Sequence, residues 1–221
     1  MNILAIDTST EACSAALMRA DGAVFSEFEI APRQHHRLLP GMMDQVLARS
    51  GVGKQALTHC AFANGPGAFT GIRIAAAQAQ GIGMALNIPL LPISTLAVLA
   101  QACFERSDCN RSLVALDARM QEIYWAVYRR DQDQCARLEG EEQLCAVDRV
   151  RIADGVDCGA GHGWIDALRE QAAFDVDAGL LPDARALLTL AADAAARKLG
   201  VEASAAGINY LRNRVAEKQK S

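Results

Sequence analysis

Apolar residues in this chain fall into short continuous runs separated by polar turns, with longer stretches of helical spacing between them. Residues 2–7 (NILAID), 12–19 and 24–30 read as three strands joined by tight turns, one of them Ala20-Asp21-Gly22, with Pro32 closing the meander. Leu39, Met42, Met43, Val46 and Leu47 then recur on an i, i+3, i+4 face, predicting a helix over 38–49 that Gly51 ends. Residues 58–63 (THCAFA) suit a buried strand, and 72–86 (IRIAAAQAQGIGMAL) an Ala-rich helix. Leu90 and Leu91 make a short strand between two prolines, and Ser94 caps a helix running to about 104. The first half is therefore β-β-β-α-β-α-β-α.

A hydrophilic stretch at 105–111 (ERSDCNR) marks a boundary, beyond which the pattern partly restarts. Residues 113–117 (LVALD) repeat the apolar-then-Asp form of NILAID, and 123–128 follow as a strand after a turn at Arg119-Met120. Asp7 and Asp117 lie 110 residues apart, half the chain, which points to an internal duplication. Further strands are expected over 144–152 and 156–158, a glycine turn over 159–163, and a short helix over 164–171. A longer helix spans 183–199, capped by Asp183 and ended by Gly200. The fold class is α/β with two lobes, 1–105 and 106–221, the last helix and tail being candidates to pack back on the first lobe.

Composition narrows the function classes. Hydrophobic content of 51% with 22% charged residues supports a substantial core, and the net charge of −4 argues against independent nucleic-acid binding. Seven cysteines with no C-x-x-C pair, several inside apolar runs, are expected to be buried reduced thiols of a cytoplasmic protein. The start MNILAIDTST has no signal-peptide form, and the apolar region 72–100 is interrupted too often to span a bilayer. The end of the chain carries four basic residues, Arg212, Arg214, Lys218 and Lys220: a solvated end or a contact for a polyanion.

The loop Asn64-Gly65-Pro66-Gly67-Ala68-Phe69-Thr70-Gly71-Ile72-Arg73 joins a strand to a helix. Its glycines permit backbone angles closed to other residues, and Thr70 is the expected N-cap. Helix N-termini hold anions, so Gly67 and Arg73, with Asp7 and Ser9 from the end of the first strand, are candidates for nucleotide or anion contact. A tight turn with a surface arginine fits the same residues. The loop has neither a P-loop lysine nor a dinucleotide fingerprint. Arg73 in a first helical turn is locally unfavourable, so an acidic group is expected to answer it.

Catalytic groups do not emerge. Asp7 leads into Thr8-Ser9-Thr10-Glu11, a turn without the glycine of an actin-like kinase hairpin. Asp117 and Glu122 could join it in a two-metal nuclease, but their spacing does not compel that. His35, His36, His59 and His162 form no H-x-x-x-H or carboxylate–His pair, so no zinc or iron site is expected. The helices are more informative. Ala75, Ala79 and Gly83 recur at i, i+4, i+8 beside Ile72 and Ala76, a small-residue stripe open to close approach by another helix. With Leu39, Met42, Met43 and Val46 these residues are the candidate partner-binding surface, a buried core helix being the plainer reading.

Four runs, ILAIDTS at 3–9, GPG-x-FTGIRI at 65–74, DARM-x-EIYWA at 117–126 and YLRN-x-VA at 210–216, resemble the bacterial TsaB (YeaZ) family of tRNA threonylcarbamoyladenosine (t6A) biosynthesis. The resemblance covers most of the chain and is weakest over 130–205. It implies an actin-like ATPase (ribonuclease-H-like) fold of two related lobes, each a mixed sheet flanked by helices. It also implies a partner, the TsaD transferase, which moves a threonylcarbamoyl group from its adenylate to N6 of adenosine 37 in ANN-decoding tRNAs. The TsaE ATPase would complete the assembly, tRNA would be met only through the complex, and the chain alone would form a homodimer. The H-x-x-x-H metal motif of TsaD falls here on Thr95 and Leu99, which cannot hold a metal. The resemblance thus implies a non-catalytic scaffold with no cofactor of its own, ATP or ADP being admitted only at the complex junction. The family tail has a proline before YLR where Ile208-Asn209 stand here. The principal alternative is an autonomous ATPase or small-molecule kinase of actin-like fold; a peptidase and a ribonuclease-H-like nuclease fit the residues less well.

Overall fold

The computed structural model describes residues 1–212. The end of the basic tail, with Arg214, Lys218 and Lys220, lies outside the described residues.

The first sheet has strand order β3-β2-β1-β4-β5. β1 (Ile3–Asp7), β2 (Ala12–Met18) and β3 (Val24–Ile30) form an antiparallel meander; β4 (His59–Ala63) and β5 (Leu90–Ile93) extend it in parallel on the other side of β1. The second sheet repeats this plan. β6 (Arg111–Arg119), β7 (Glu122–Arg130) and β8 (Ala136–Ala146) are antiparallel, and β9 (Cys158–Ala160) and β10 (Val176–Asp177) are parallel to β6, in the order β10-β9-β6-β7-β8. The duplication legible in NILAID and LVALD is therefore a duplication of topology. Asp7 and Asp117 both lie on the lead strands β1 and β6.

Helices α1 (His35–Ser50) and α2 (Phe69–Leu86) cover one face of the first sheet. α3 (Thr95–Arg106) and α5 (Ala184–Ala196) lie between the two sheets, while α4 (Asp166–Arg169) sits beyond the second. The central strands are buried on both faces: Ile3 and Ala5 point to the α3–α5 layer, Leu4 and Ile6 to α1 and α2. This is why NILAID reads as one continuous apolar run rather than an alternating one. Although it belongs to the second half of the chain, α5 packs on β1, β2 and β4, and the Ala184 N–H donates to Ser14 Oγ at 2.9 Å. The segment after it adds an antiparallel bridge between Val201 and Leu90, and the Asn209 N–H donates to the Asn64 carbonyl at 2.8 Å.

Caps follow local chemistry in most places. Gly51 closes α1 at φ 68°, Ser94 Oγ accepts from the Leu96 N–H, and Asp183 accepts from the Arg185 and Ala186 N–H groups. The N-cap of α2, however, is Ala68, two residues before the expected Thr70. α5 ends at Ala196, short of Gly200. Strand β8 replaces the strand expected over 144–152. Its sequence, ARLEGEEQLCA, belongs to a sheet edge where Glu139 pairs with Arg111 and Arg129 instead of entering a core. Glu142 on the same strand accepts from Tyr128 OH at 2.6 Å and from Ser94 Oγ, and its other oxygen accepts from Asn209 Nδ2 at 2.8 Å. One carboxylate thus joins β7, the start of α3 and the tail segment.

The cysteines depart from the expectation of seven reduced thiols: Cys109 and Cys158 form a disulfide, while Cys13, Cys60, Cys103, Cys135 and Cys145 are free. The pair is 49 residues apart in sequence, so only the fold brings it together. No helix among the described residues is long and apolar enough to cross a membrane.

Candidate functional site

The strand-to-helix loop docks tightly on the loop that follows β1. The Ala68 N–H donates to the Ser9 carbonyl at 2.7 Å, and Thr8 Oγ1 donates to the Gly71 carbonyl at 2.7 Å. Gly65, at φ 108°, occupies a conformation that favours glycine. Gly67 and Gly71 are needed for a different reason. A Cβ at Gly67 would land on the Ser9 carbonyl oxygen, and one at Gly71 on that of Thr8. The start of α2, where an anion was expected, thus already receives a carbonyl of the chain itself.

Asp7 faces inward. Its side chain is 1% exposed, Oδ1 accepts from both the N–H and Oγ of Ser9 (2.8 and 2.6 Å), and Oδ2 is buried without a partner. Burial raises its pKa from 3.8 to about 6, against the lowering effect of the Ser9 hydrogen bonds; the nearby Asp183 charge adds to the rise. It therefore organises the β1–β2 loop and is not a wall residue of the cleft, a correction to its candidacy for nucleotide contact. An acid whose folded-state pKa exceeds its unfolded value holds its proton more tightly when folded. Its contribution to stability is full below pH 3.8 and is lost as the pH rises through 6. Asp7→Asn should remove up to about 3 kcal/mol of that pH dependence, making the variant the more stable chain at pH 8. Urea midpoints at pH 4 and pH 8 check this; parallel pH dependences in the two proteins would refute it.

Between the lobes lies a cleft of about 950 Å³, lined by Ser9, Gly67 and Arg73 from the first half and by Asp117, Arg119 and His162 from the second. Arg73 meets no acid among the described residues. Its guanidinium lies 3.3 Å from the Phe69 ring centroid and 5.2 Å from that of Tyr210, and it donates to the Phe69 carbonyl at 2.6 Å. Arg119 pairs with Asp117 at 3.2 Å and Arg212 with Glu122 at 2.7 Å. His162, set aside from sequence as isolated, accepts from the Asp117 N–H through Nδ1 at 3.0 Å and turns Nε2 toward Glu11 across the cleft, 3.9 Å away. His35 also lines the cleft, its buried Nε2 without a partner. Of these groups Arg73, Asp117, Glu122 and Arg212 had a sequence signal of their own, and His162 had one only through the glycine turn at 159–163.

The partner-binding candidates require correction. Leu39, Met42, Met43, Val46, Ala75, Ala76, Ala79 and Gly83 are buried between α1, α2 and the first sheet, while Ile72, 3% exposed, lies at the floor of the cleft. They are core. The opposite face of α2 is open: Phe69 (64%) and Met84 (74%) stand out, and Thr70, Ala77, Gly81 and Ala85 are exposed around them. From Ile74 to Asn87 this helix carries no charged residue. The outer face of α1, by contrast, is polar, with His36, Arg37, Asp44, Gln45 and Arg49 exposed. The outer face of α2 is thus an uncharged, small-residue helix face left in water. Thr95 and Leu99 are both fully buried on α3, and neither offers a metal ligand.

Comparison with known proteins agrees in sequence and in fold. A family model described as TsaD, tRNA N6-adenosine threonylcarbamoyltransferase, matches residues 27–175. The tRNA threonylcarbamoyladenosine biosynthesis protein TsaB of Escherichia coli K12 is 39% identical, covering 99% of this chain and 98% of that protein. Its Haemophilus influenzae counterpart of the same name is 34% identical over 99% and 97%. The solved structure of YeaZ from Pseudomonas aeruginosa superposes with a TM-score of 0.90 at 44% identity, covering 95% of this chain and 99% of that one.

Proposed function

The chain belongs to the TsaB family of tRNA threonylcarbamoyladenosine biosynthesis proteins, and from its role in that tRNA modification we propose that it acts as a non-catalytic scaffold. It binds the TsaD transferase through the outer face of α2 and holds that enzyme in its active arrangement; it has no independent activity. The observation that carries this reading is the exposed, uncharged run of Ala77, Gly81, Met84 and Ala85 on a helix whose other face is fully committed to the core. The TsaE ATPase joins the larger assembly in the cytoplasm, and tRNA is reached through the complex.

The cleft supports the same assignment. Asp7 is turned inward, the start of α2 is occupied by the Ser9 carbonyl, and three of the cleft arginines are already engaged by aromatic rings or carboxylates. On this reading the chain has no nucleotide site of its own, and ATP or ADP is admitted only at the junction with the transferase. Nucleotide titrated into the isolated chain should give no saturable heat or fluorescence change. Micromolar binding would favour the autonomous ATPase or kinase instead.

Light scattering tests the partnership directly. Alone, the chain should run as a self-pair through this helix face. Mixed with the TsaD homologue of the same organism, it should shift to a one-to-one complex. Two unmixed peaks would overturn the proposal.

A further inference from the structure

Three cysteines converge in the second lobe from different elements: Cys103 near the end of α3, Cys109 in the loop before β6, and Cys158 at the start of β9. Their sulfur atoms all lie within 4.8 Å of one another. Cys109 and Cys158 are bonded to each other, and Cys103 Sγ stands 3.5 Å from Cys158 Sγ and 4.0 Å from Cys109 Sγ. Thiolates around one tetrahedral ion with metal–sulfur bonds of about 2.3 Å are separated by about 3.8 Å. Cys103 already stands at that spacing from both partners.

The surroundings suit a soft cation. Cys103 and Cys158 are buried among apolar side chains, where sulfur ligands would be shielded from water. Hydroxyls stand close to two of the sulfurs: Ser107 Oγ donates to Cys109 Sγ at 3.1 Å, and Ser112 Oγ lies 3.7 Å from Cys103 Sγ. The neighbouring carboxylate of Asp157 is committed to the Asn110 and Arg111 N–H groups, so the first ligands are sulfur. Cys109 is half-buried and gives access from solvent.

We propose that, once the Cys109–Cys158 bond is reduced, Cys103, Cys109 and Cys158 bind one thiophilic cation of the zinc class, with a solvent molecule as fourth ligand. An external dithiol breaks the bond, leaves two thiols and closes to its own disulfide. The cation then displaces the thiol protons and takes three thiolates. Oxidation to the observed disulfide removes two of the three ligands, so the site exists only in the reduced chain.

The test is a Zn²⁺ titration of the full chain against a chromophoric chelator, anaerobically, in reduced and oxidised forms. Reduced protein should take up one equivalent, and its thermal midpoint should rise on binding. Cys158→Ser should weaken binding about 100-fold, while Cys145→Ser, outside the cluster, should not change it. If Cys158→Ser fails to fold, the reduced and oxidised forms of the natural chain decide. Failure of the reduced protein to bind one equivalent, or equal binding by both forms, would overturn the site and leave the cysteines as a structural cross-link.

Discussion

Gly71→Ala is expected to remove a large part of the protein's stability and to lower its urea midpoint sharply. On helix propensity alone the change should stabilise α2 by about 1 kcal/mol, since alanine is the better helix former. Tertiary contact reverses the sign. The new methyl group would fall on the carbonyl oxygen of Thr8, a backbone atom held in place by β1 on one side and by the Asp7–Ser9 hydrogen bonds on the other. Relief requires α2 to move off the β1–β2 loop, breaking the Thr8–Gly71 and Ala68–Ser9 hydrogen bonds together. Overpacking of this kind with loss of two buried hydrogen bonds costs about 3–5 kcal/mol, a large fraction of the stability of a domain. Gly81→Ala on the same helix is the control, because a Cβ there meets nothing within 4 Å. It should gain about 1 kcal/mol. Urea unfolding of both variants settles the matter; equal midpoints would show that the loop yields without cost.

Gly81→Arg should abolish association with the transferase while keeping the chain folded. The position is exposed and open, and arginine is a better helix former than glycine, so the fold should gain slightly. A long cation in the middle of an uncharged face would prevent close approach and would be buried without a partner, costing several kcal/mol of binding, which is at least a 100-fold loss of affinity. The self-pair should be lost with it if both assemblies use this face. Ala79→Arg would be a misleading probe: Ala79 is fully buried against the first sheet, so its failure to bind would report unfolding. Light scattering of Gly81→Arg mixed with the transferase, with circular dichroism to establish folding, separates the two effects. A folded variant that still forms the one-to-one complex would move the interface elsewhere.

Much of this protein is legible from its sequence because the determining interactions are local. The continuous apolar runs place most of the strands, the i, i+3, i+4 spacing places α1, and Ser94 and Asp183 cap their helices through side chains two or three residues from the bonds they accept. The repeat of NILAID in LVALD reveals two lobes, and four sequence runs reveal the family. What escaped depends on neighbours distant in the chain. β8 is a charged edge strand whose Glu139 is answered by arginines on β6 and β7, so its pairing has no hydrophobic signature. Cys109 and Cys158 share no motif, and Asp7 could have faced either a cleft or the interior.

The choice between the two faces of α2 shows the limit most clearly. Ala75, Ala79 and Gly83 form one small-residue stripe at i, i+4, i+8; Ala77, Gly81 and Ala85 form another with the same spacing and nearly the same hydropathy. Periodicity reports that such a helix can be approached closely from two sides, but not which side its own sheet takes. That was decided by the sheet, through Leu90 against Gly83 and the β1–β4 core against Ala75 and Ala79, which leaves the second stripe to water or to a partner.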